Sequence, residues 1–353
     1  MKKLFKMLGL LLGVFVLAFV LFFTYGVFTD FEPAPVEIVY EASVPVVNVA
    51  DTVISITTWN IGYCGLGAKA NFFYDGGDQM RCSEAEQTEN MLAIRSFLQA
   101  NPADVFLLQE IDMDSHRSYG VNEVDTMAAA LPNYTKYFAT NYKVDFVPQP
   151  LSDPMGKVYS GIVTYSKFKA SRVERHNFVN EKSIPVSSYM LDYCFMAQYV
   201  PLASGDTVVI VNTHSSAFSP GELKRAQTNQ LREFLVAQYA KGYHVVVGGD
   251  WNQMPSGYAP TFTNTNHPTF VTHEIDNPFI EGWQIVYDKT VPTNREVNTA
   301  YEPEKTYVSV LDFFAVSPNI DILAVKTSDL GFRNTDHHPV TIQLKLSHKK
   351  NIE

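Results

Sequence analysis

Cysteine is scarce in this chain, with Cys64, Cys82 and Cys194 the three among 353 residues. An odd number leaves at least one thiol unpaired, and two arrangements stay open: a Cys64–Cys82 bridge, or small buried free thiols. Basic runs are missing from the body of the chain, whose formal net charge is −10. Because a polyanion such as duplex DNA is normally met by a basic surface, that balance argues against nucleic acid as the main partner. No GxxxxGK[ST] segment occurs, which excludes a phosphate-cradling nucleotide loop of that type. No HxxxH or HExxH helix signature occurs either, which leaves zinc the weaker of the metals to consider. Without internal repeats or low-complexity tracts, one domain is the simplest count. What is present is an ordinary globular balance, 46% hydrophobic and 18% charged, enough for a sizeable core.

Acidic residues are absent before Asp30, whereas Lys2, Lys3 and Lys6 form a basic flank over 1–6. The apolar run that follows, 7–28, matches the roughly 20 residues needed to span a bilayer. It is longer than the apolar region of a cleaved signal, and no A-x-A-like cleavage site follows it. The expectation is an uncleaved anchor, a single-pass cell-membrane protein whose lysines stay inside while the rest lies outside the cytoplasm. Secretion after cleavage is the alternative. Pro33, Pro35 and Pro45, with several acids, make 29–46 read as an extended linker, ahead of a folded domain over 47–348 and a tail over 349–353.

Within that domain, β-rich runs recur at 53–59, 105–109, 161–165, 208–212, 245–248, 311–316 and 340–346. Helical periodicity appears at 84–99 and 220–239. Strands interleaved with helices predict an α/β layered domain. The Asn-, Thr-, Pro- and Gly-rich stretches 255–277 and 292–303 read as long loops that shape a substrate site.

Nearly every apolar run ends in a polar residue: Asn60, Glu110, His214, and Asp250 with Asn252. One strand-terminal Asp is ordinarily a turn former or cap. Several such ends together suggest convergence on one crevice, as strand ends do in layered α/β folds. Glu110, Asp250, Asp312 and Asp336 with Asn60 and Asn252 supply hard oxygen donors of the kind Mg²⁺ prefers, with Mn²⁺ or Ca²⁺ as alternatives.

In chain order, Thr58-Trp59-Asn60, Gln109-Glu110, Asn212-Thr213-His214, Gly249-Asp250-Trp251-Asn252, Leu311-Asp312 and Thr335-Asp336-His337-His338-Pro339-Val340 resemble the motifs of the endonuclease/exonuclease/phosphatase superfamily, also called DNase I-like. The resemblance runs from near Val53 to Leu346. It implies a four-layered α/β sandwich, two mixed β-sheets face to face with helices outside, and divalent-metal hydrolysis of phosphate esters. It further implies that Glu110 is the principal metal ligand, with Asn60 beside it and Asp336 near the metal. Asp250 and Asn252 would position water and the scissile phosphate, His337 would face that phosphate, and Asp312 would orient His337. His214 matches a second histidine of some branches, and His338 a variable slot.

Substrate selection is less specified. The aromatic loop around Tyr74 reads as a rim that stacks on a head group or base, or dips into a membrane. Arg117 and Arg333 are candidate phosphate clamps. Anchoring and acidic charge rank a lipid or head-group phosphodiesterase first, a surface nuclease second and an inositol-phosphate or small phosphomonoester phosphatase third. A non-enzymatic binding protein would have lost a motif, and none is missing. A monomer is expected.

Overall fold

The computed structural model describes residues 1–48, 53–180, 183–217, 221–264, 268–269 and 272–347; the expected tail lies outside them. Helix α1 (Lys2–Phe28) leads into β1 (Val36–Glu41), β2 (Val53–Asn60), α2 (Glu84–Ala100), β3 (Val105–Asp112), α3 (Glu123–Ala130), β4 (Thr135–Val147), β5 (Gly156–Ser166), β6 (Arg172–Asn177), β7 (Cys194–Pro201) and β8 (Thr207–His214). Helix α4 (Gly221–Ala240) follows, then β9 (His244–Asp250), β10 (Gln284–Val286), β11 (Asn294–Arg295), β12 (Val308–Ser309), β13 (Asp312–Val316), β14 (Ile320–Thr327) and β15 (Val340–Leu346).

Two large sheets form, ordered β1-β6-β7-β8-β9-β13-β10 and β14-β15-β2-β3-β5-β4, and β11 pairs with β12 as a separate two-stranded ribbon. Each large sheet is mixed, because β2 pairs parallel with β3 and β8 with β9 among otherwise antiparallel neighbours. A parallel pair needs a crossover; α2 and α4 supply the two. Helix α2 starts at a reciprocal cap, Ser83 with Glu86, which satisfies two of the amides a helix start leaves open.

The period-2 alternation of each strand builds the layers. Ile54, Ile56, Val105, Leu107, Val208, Ile210, Val246, Phe314 and Val316 face inward and form the core between the sheets. Their neighbours point outward. Phe106 and Leu108 pack under Ile94 and Leu98 of α2 and Met127 of α3, while Val209, Val211, Val245 and Val247 pack under Leu231 and Leu235 of α4. The result is the expected four-layered sandwich.

One expectation needs correction, and the choice left open for the cysteines is decided. Six residues of the predicted linker, Val36–Glu41, form an edge strand antiparallel to β6, with Val39 packed beside Tyr137, Ala170 and Val173. Acids and prolines suit an edge strand, where one side of the backbone lacks a partner. Cys64 and Cys82 are free thiols, as is Cys194. Cys64 points into the cluster of Trp59, Ile61 and Ile94 beneath α2, where burial pushes its thiol well above the usual range, while Cys82 remains at the partly exposed start of that helix. Strands β4, β6, β7, β10, β11, β12 and β14 also lie outside the expected runs. Helix α1 is long and apolar enough to cross a membrane by length and composition.

Candidate active site

The inward rows that are apolar in mid-strand turn polar at one end of the sandwich. First comes a buried layer that ties the sheets together: Gln109 Nε2 donates to Asn212 Oδ1 (2.7 Å) and to Thr58 Oγ1 (3.1 Å). Asn212 in turn donates to the Leu108 and Val163 carbonyls. These bonds span the two sheets directly beneath the next row, which holds Asn60, His214, Asp250 and Asp312.

Glu110 joins that row by a different route. Strict alternation after inward-facing Gln109 would point it outward. Instead Glu110 takes a left-handed conformation, φ 50°, where β3 slips register against β5 between Leu108 and Ile111. A bulge of this kind re-aims a side chain, and the strain of a non-glycine residue at positive φ is characteristic of functional positions. Asn60 Nδ2 then reaches both Glu110 Oε1 and Asp250 Oδ2, each at 3.0 Å, while Asn60 Oδ1 accepts the Gly62 amide.

Asp250 Oδ2 is the hub. It lies 3.8 Å from His214 Nε2 and 3.8 Å from His337 Nε2, and its other oxygen accepts the Asn252 amide at 2.9 Å. Asn252 manages this through its own left-handed backbone, φ 48°, and its side-chain amide donates to the Ser215 carbonyl. His214 contacts Asn141 (3.3 Å) through Nδ1 and takes the Tyr193 ring edge-on.

His337 Nδ1 lies 2.7 Å from Asp312 Oδ2, and its Nε2 lies 3.0 Å from the Asn294 amide and 3.9 Å from Asp336. Two tryptophans of the motifs hold this pair in place. Trp59 donates to the His337 carbonyl and Trp251 to the Phe313 carbonyl beside Asp312. Burial alone would lower the pKa of His337, but Asp312, Asp336 and Asp250 hold its imidazolium well above the usual histidine range. Burial pushes Asp336 up to about 6, with Glu110 adding to the rise and His337 and Arg295 opposing it.

The donor chemistry fits a divalent cation. Glu110, His214 and Asp250 form one group, and Asp250, Asp312 and His337 another, with donor atoms within 4.8 Å of one another in each. The acid-rich pole extends to Asp75, a residue not anticipated, whose carboxyl is pushed up to about 7 by burial and then by Asp336 and Glu110. Crowded carboxylates, with the buried guanidinium of Arg295 beside them, are what a bound cation would relieve. Asp336 closes this pole over the Gly62 turn, where a Cβ would meet its Oδ1 at 2.8 Å.

Other expected residues stand elsewhere. Arg117 is buried, bound through two nitrogens to Asp112 (3.1 and 2.9 Å) and stacked 3.8 Å over Tyr63; its guanidinium is committed to the core and is no phosphate clamp. Arg333 is exposed and bonds the Leu330 carbonyl. Tyr74 packs against Phe72 and the Met80, Tyr142 and Met155 cluster instead of standing free as a rim. His338 accepts the Phe332 amide and donates to the Pro292 carbonyl, so it is neutral, and burial pushes it down to about 4. Asn294 lies in the 292–303 stretch read as substrate-shaping, on the short strand β11, and Asp75 in the aromatic loop around Tyr74, but nothing in their local sequence singles them out.

A mixed double-sheet sandwich with carboxylates, an amide and two histidines gathered at one end defines a class of metal-assisted phosphoester hydrolases. The sequence profile of the Endonuclease/Exonuclease/phosphatase family matches residues 57–330, and the chain belongs to that family, as a metal-dependent phosphoester hydrolase. Its fold is similar to an endonuclease/exonuclease/phosphatase from Beutenbergia cavernae (17% identity, TM-score 0.55, 84% of this chain and 72% of that one). It is also similar to the human Nocturnin catalytic domain with bound sulfate (16%, 0.53, 84% and 94%). ANGEL2, a 2',3'-cyclic phosphatase in complex with adenosine-2',3'-vanadate, is a further fold relative (14%, 0.56, 84% and 96%). Comparison with curated protein sequences finds no match.

Proposed function

We propose that the chain is a membrane-tethered phosphodiesterase that acts outside the cytoplasm on a lipid or its head group, with Mg²⁺ held by Glu110 and Asp336 beside Asn60. The observation that carries the catalytic part is Asp250 Oδ2 lying 3.8 Å from each of two imidazoles, one of them paired to Asp312. When bound, the ion supplies Lewis-acid polarisation of the phosphate and stabilises the leaving oxygen.

The chain's own residues supply the rest. A protonated His337 cannot accept a proton, so its part is to donate the one hydrogen bond its Nε2 has left to a non-bridging oxygen as negative charge develops. Asp250, fixed by Asn60 and the Asn252 amide, orients the attacking water and takes its proton. His214, held by Asn141 and Tyr193 on the other flank of Asp250, offers a second donor to the same phosphate.

The substrate class is supported by the N-terminal helix, which is long and apolar enough to cross a membrane, and by a net charge of −10 that opposes a nucleic-acid polyanion. The detergent-solubilised full chain, assayed with Mg²⁺ against sphingomyelin, phosphoinositides, plasmid DNA and a soluble phosphodiester, tests it. Chelator and Glu110→Ala supply the controls. Preferential cleavage of the lipids is expected; preference for DNA overturns the substrate reading, and activity in the Glu110→Ala protein overturns the metal assignment.

A further inference from the structure

Helix α1 does not leave the catalytic domain as a free stalk. Tyr189 stacks on Phe22 at 5.3 Å and meets Phe23 edge-on, and its hydroxyl donates to the Phe22 carbonyl at 3.1 Å. Gly26 is needed for that approach, since a Cβ there would lie 2.2 Å from the Tyr189 hydroxyl. Tyr25 donates to Asp145 at 2.7 Å, and Phe146 meets Phe22 edge-on. The last turns of the helix are therefore gripped by the end of β4 and by the 186–189 turn.

This contact fixes a depth. Counting from Lys6, the last lysine of the basic flank, Gly26 lies ~30 Å along the helix at 1.5 Å per residue, about the thickness of the hydrocarbon layer. What grips Phe22 to Gly26 thus sits at the outer membrane surface. The same two segments carry exposed apolar surface: Phe146 at the end of β4, still 44% exposed beside Phe22, Leu151 on the β4–β5 connection, and Ile184, Val186 and Met190 around the turn. The lip segments 146–151 and 184–190 carry no charged residue, with Lys143 and Lys157 flanking the first from outside it, so the apolar surface itself is neutral and suits zwitterionic lipid.

The gripped segments are also the wall of the active site. Tyr142, three residues before Asp145, donates to the Tyr189 carbonyl, and the Asp192 amide donates to the Asn141 carbonyl. Asn141 and Tyr193 are the partners of His214.

We propose that the 146–151 and 184–190 loops form an apolar lip that embeds in the outer leaflet beside α1 and seats the mouth of the site on zwitterionic lipid head groups. The inference rests on the reading of α1 as a membrane span, and it assigns to the site a phosphodiester presented in the plane of the bilayer instead of one free in solution. The aromatic loop at Tyr74, packed against the lip's base through Tyr142 and Met155, supports the lip and does not itself insert.

Full-length protein reconstituted in phosphatidylcholine vesicles, with and without brominated acyl chains, provides the test. Leu151→Trp and Val186→Trp add a fluorophore at two exposed lip positions; Leu323→Trp adds one on β14, the edge of the second sheet opposite β4. Bromination should lower the added emission of the two lip variants by at least about twofold, as for side chains at the acyl boundary, and leave that of Leu323→Trp unchanged. No quenching at either lip position, or equal quenching at all three, overturns the proposal. Quenching at the lip in a protein that cleaves a soluble phosphodiester but releases no head group from the vesicles upholds the lip and overturns the lipid-substrate reading.

Discussion

Replacing Asp312 with asparagine keeps the shape of the side chain and removes its charge. The amide oxygen still reaches His337 Nδ1, 2.7 Å away in the native pair, so the ring keeps its orientation. What is lost is the nearest of the carboxylates that hold His337 protonated against a burial that opposes it. Both side chains are almost wholly excluded from water, at 0% and 5% exposure, so solvent screening does not dilute the effect. A charge-assisted hydrogen bond of this kind contributes roughly 1.5–3 kcal/mol. At about 1.4 kcal/mol per tenfold, that is a loss of about 10- to 150-fold if the charge is used in the transition state. Asp312→Asn should therefore lower kcat on a soluble phosphodiester by that factor with little change in KM, because the interaction strengthens only as charge develops. Stability should not follow activity. Burial already raises Asp312 to about 6, so its ionised form is a cost to the folded state at neutral pH, and the variant should melt within about 3 °C of the native protein. A kcat within threefold of native, in a variant whose His337 ring titration by NMR has moved down, would refute a catalytic use of the imidazolium charge.

Asp250→Ala and His337→Ala should each reduce turnover by at least about two orders of magnitude, with circular dichroism confirming the fold; near-normal turnover in either removes that residue from the mechanism. Arg117→Ala should lower stability by about 3–5 kcal/mol in a denaturant titration, because it strands the buried Asp112, while KM stays put; unchanged stability with a raised KM would restore Arg117 as a phosphate clamp. Glu123 is pushed up to about 8 by burial and then by Asp112. A carboxyl raised above its unfolded value contributes stability below about 4.5 that is lost as pH rises toward 8, at a limiting slope of about 1.4 kcal/mol per pH unit. Glu123→Gln should flatten that dependence in melts from pH 5 to 8, and an unaltered slope would show that Glu123 is ionised in the fold. Peptide mapping without reductant should recover Cys64 and Cys82 as free thiols.

The layers were readable because the strands that make them are apolar on both faces. Val208, Val209, Ile210 and Val211 have one face on the opposite sheet and the other on α4, so the run is continuous and conspicuous in the sequence. Strands that cover only one side are not. Half of β14 is exposed, and β4 carries Lys136, Lys143 and Asp145 at its wet positions; neither presents an apolar run to find. Strand β1 hid for the same reason, with charge and proline masking an edge.

The site was legible to the extent that chain order alone carries it. Asn60, His214, Asp250 and Asp312 stand at the polar ends of inward rows, so alternation from a correctly read strand aims them at one another. Arg117 was misread because its partner, Asp112, lies five residues back across a tight turn, and a salt bridge folded that closely leaves the same sequence signature as a free arginine. Glu110 is the deeper case. Period 2 from Leu107 and Gln109 turns it away from the crevice, and only the register slip between β3 and β5 together with its left-handed backbone brings its carboxylate to Asn60. A bulge depends on the strand opposite, so no reading of β3 alone could have aimed that side chain. The acid-rich pole of the site is thus set by a pairing between strands 50 residues apart, which is why a motif as short as Gln-Glu is uninformative until the sheet has formed.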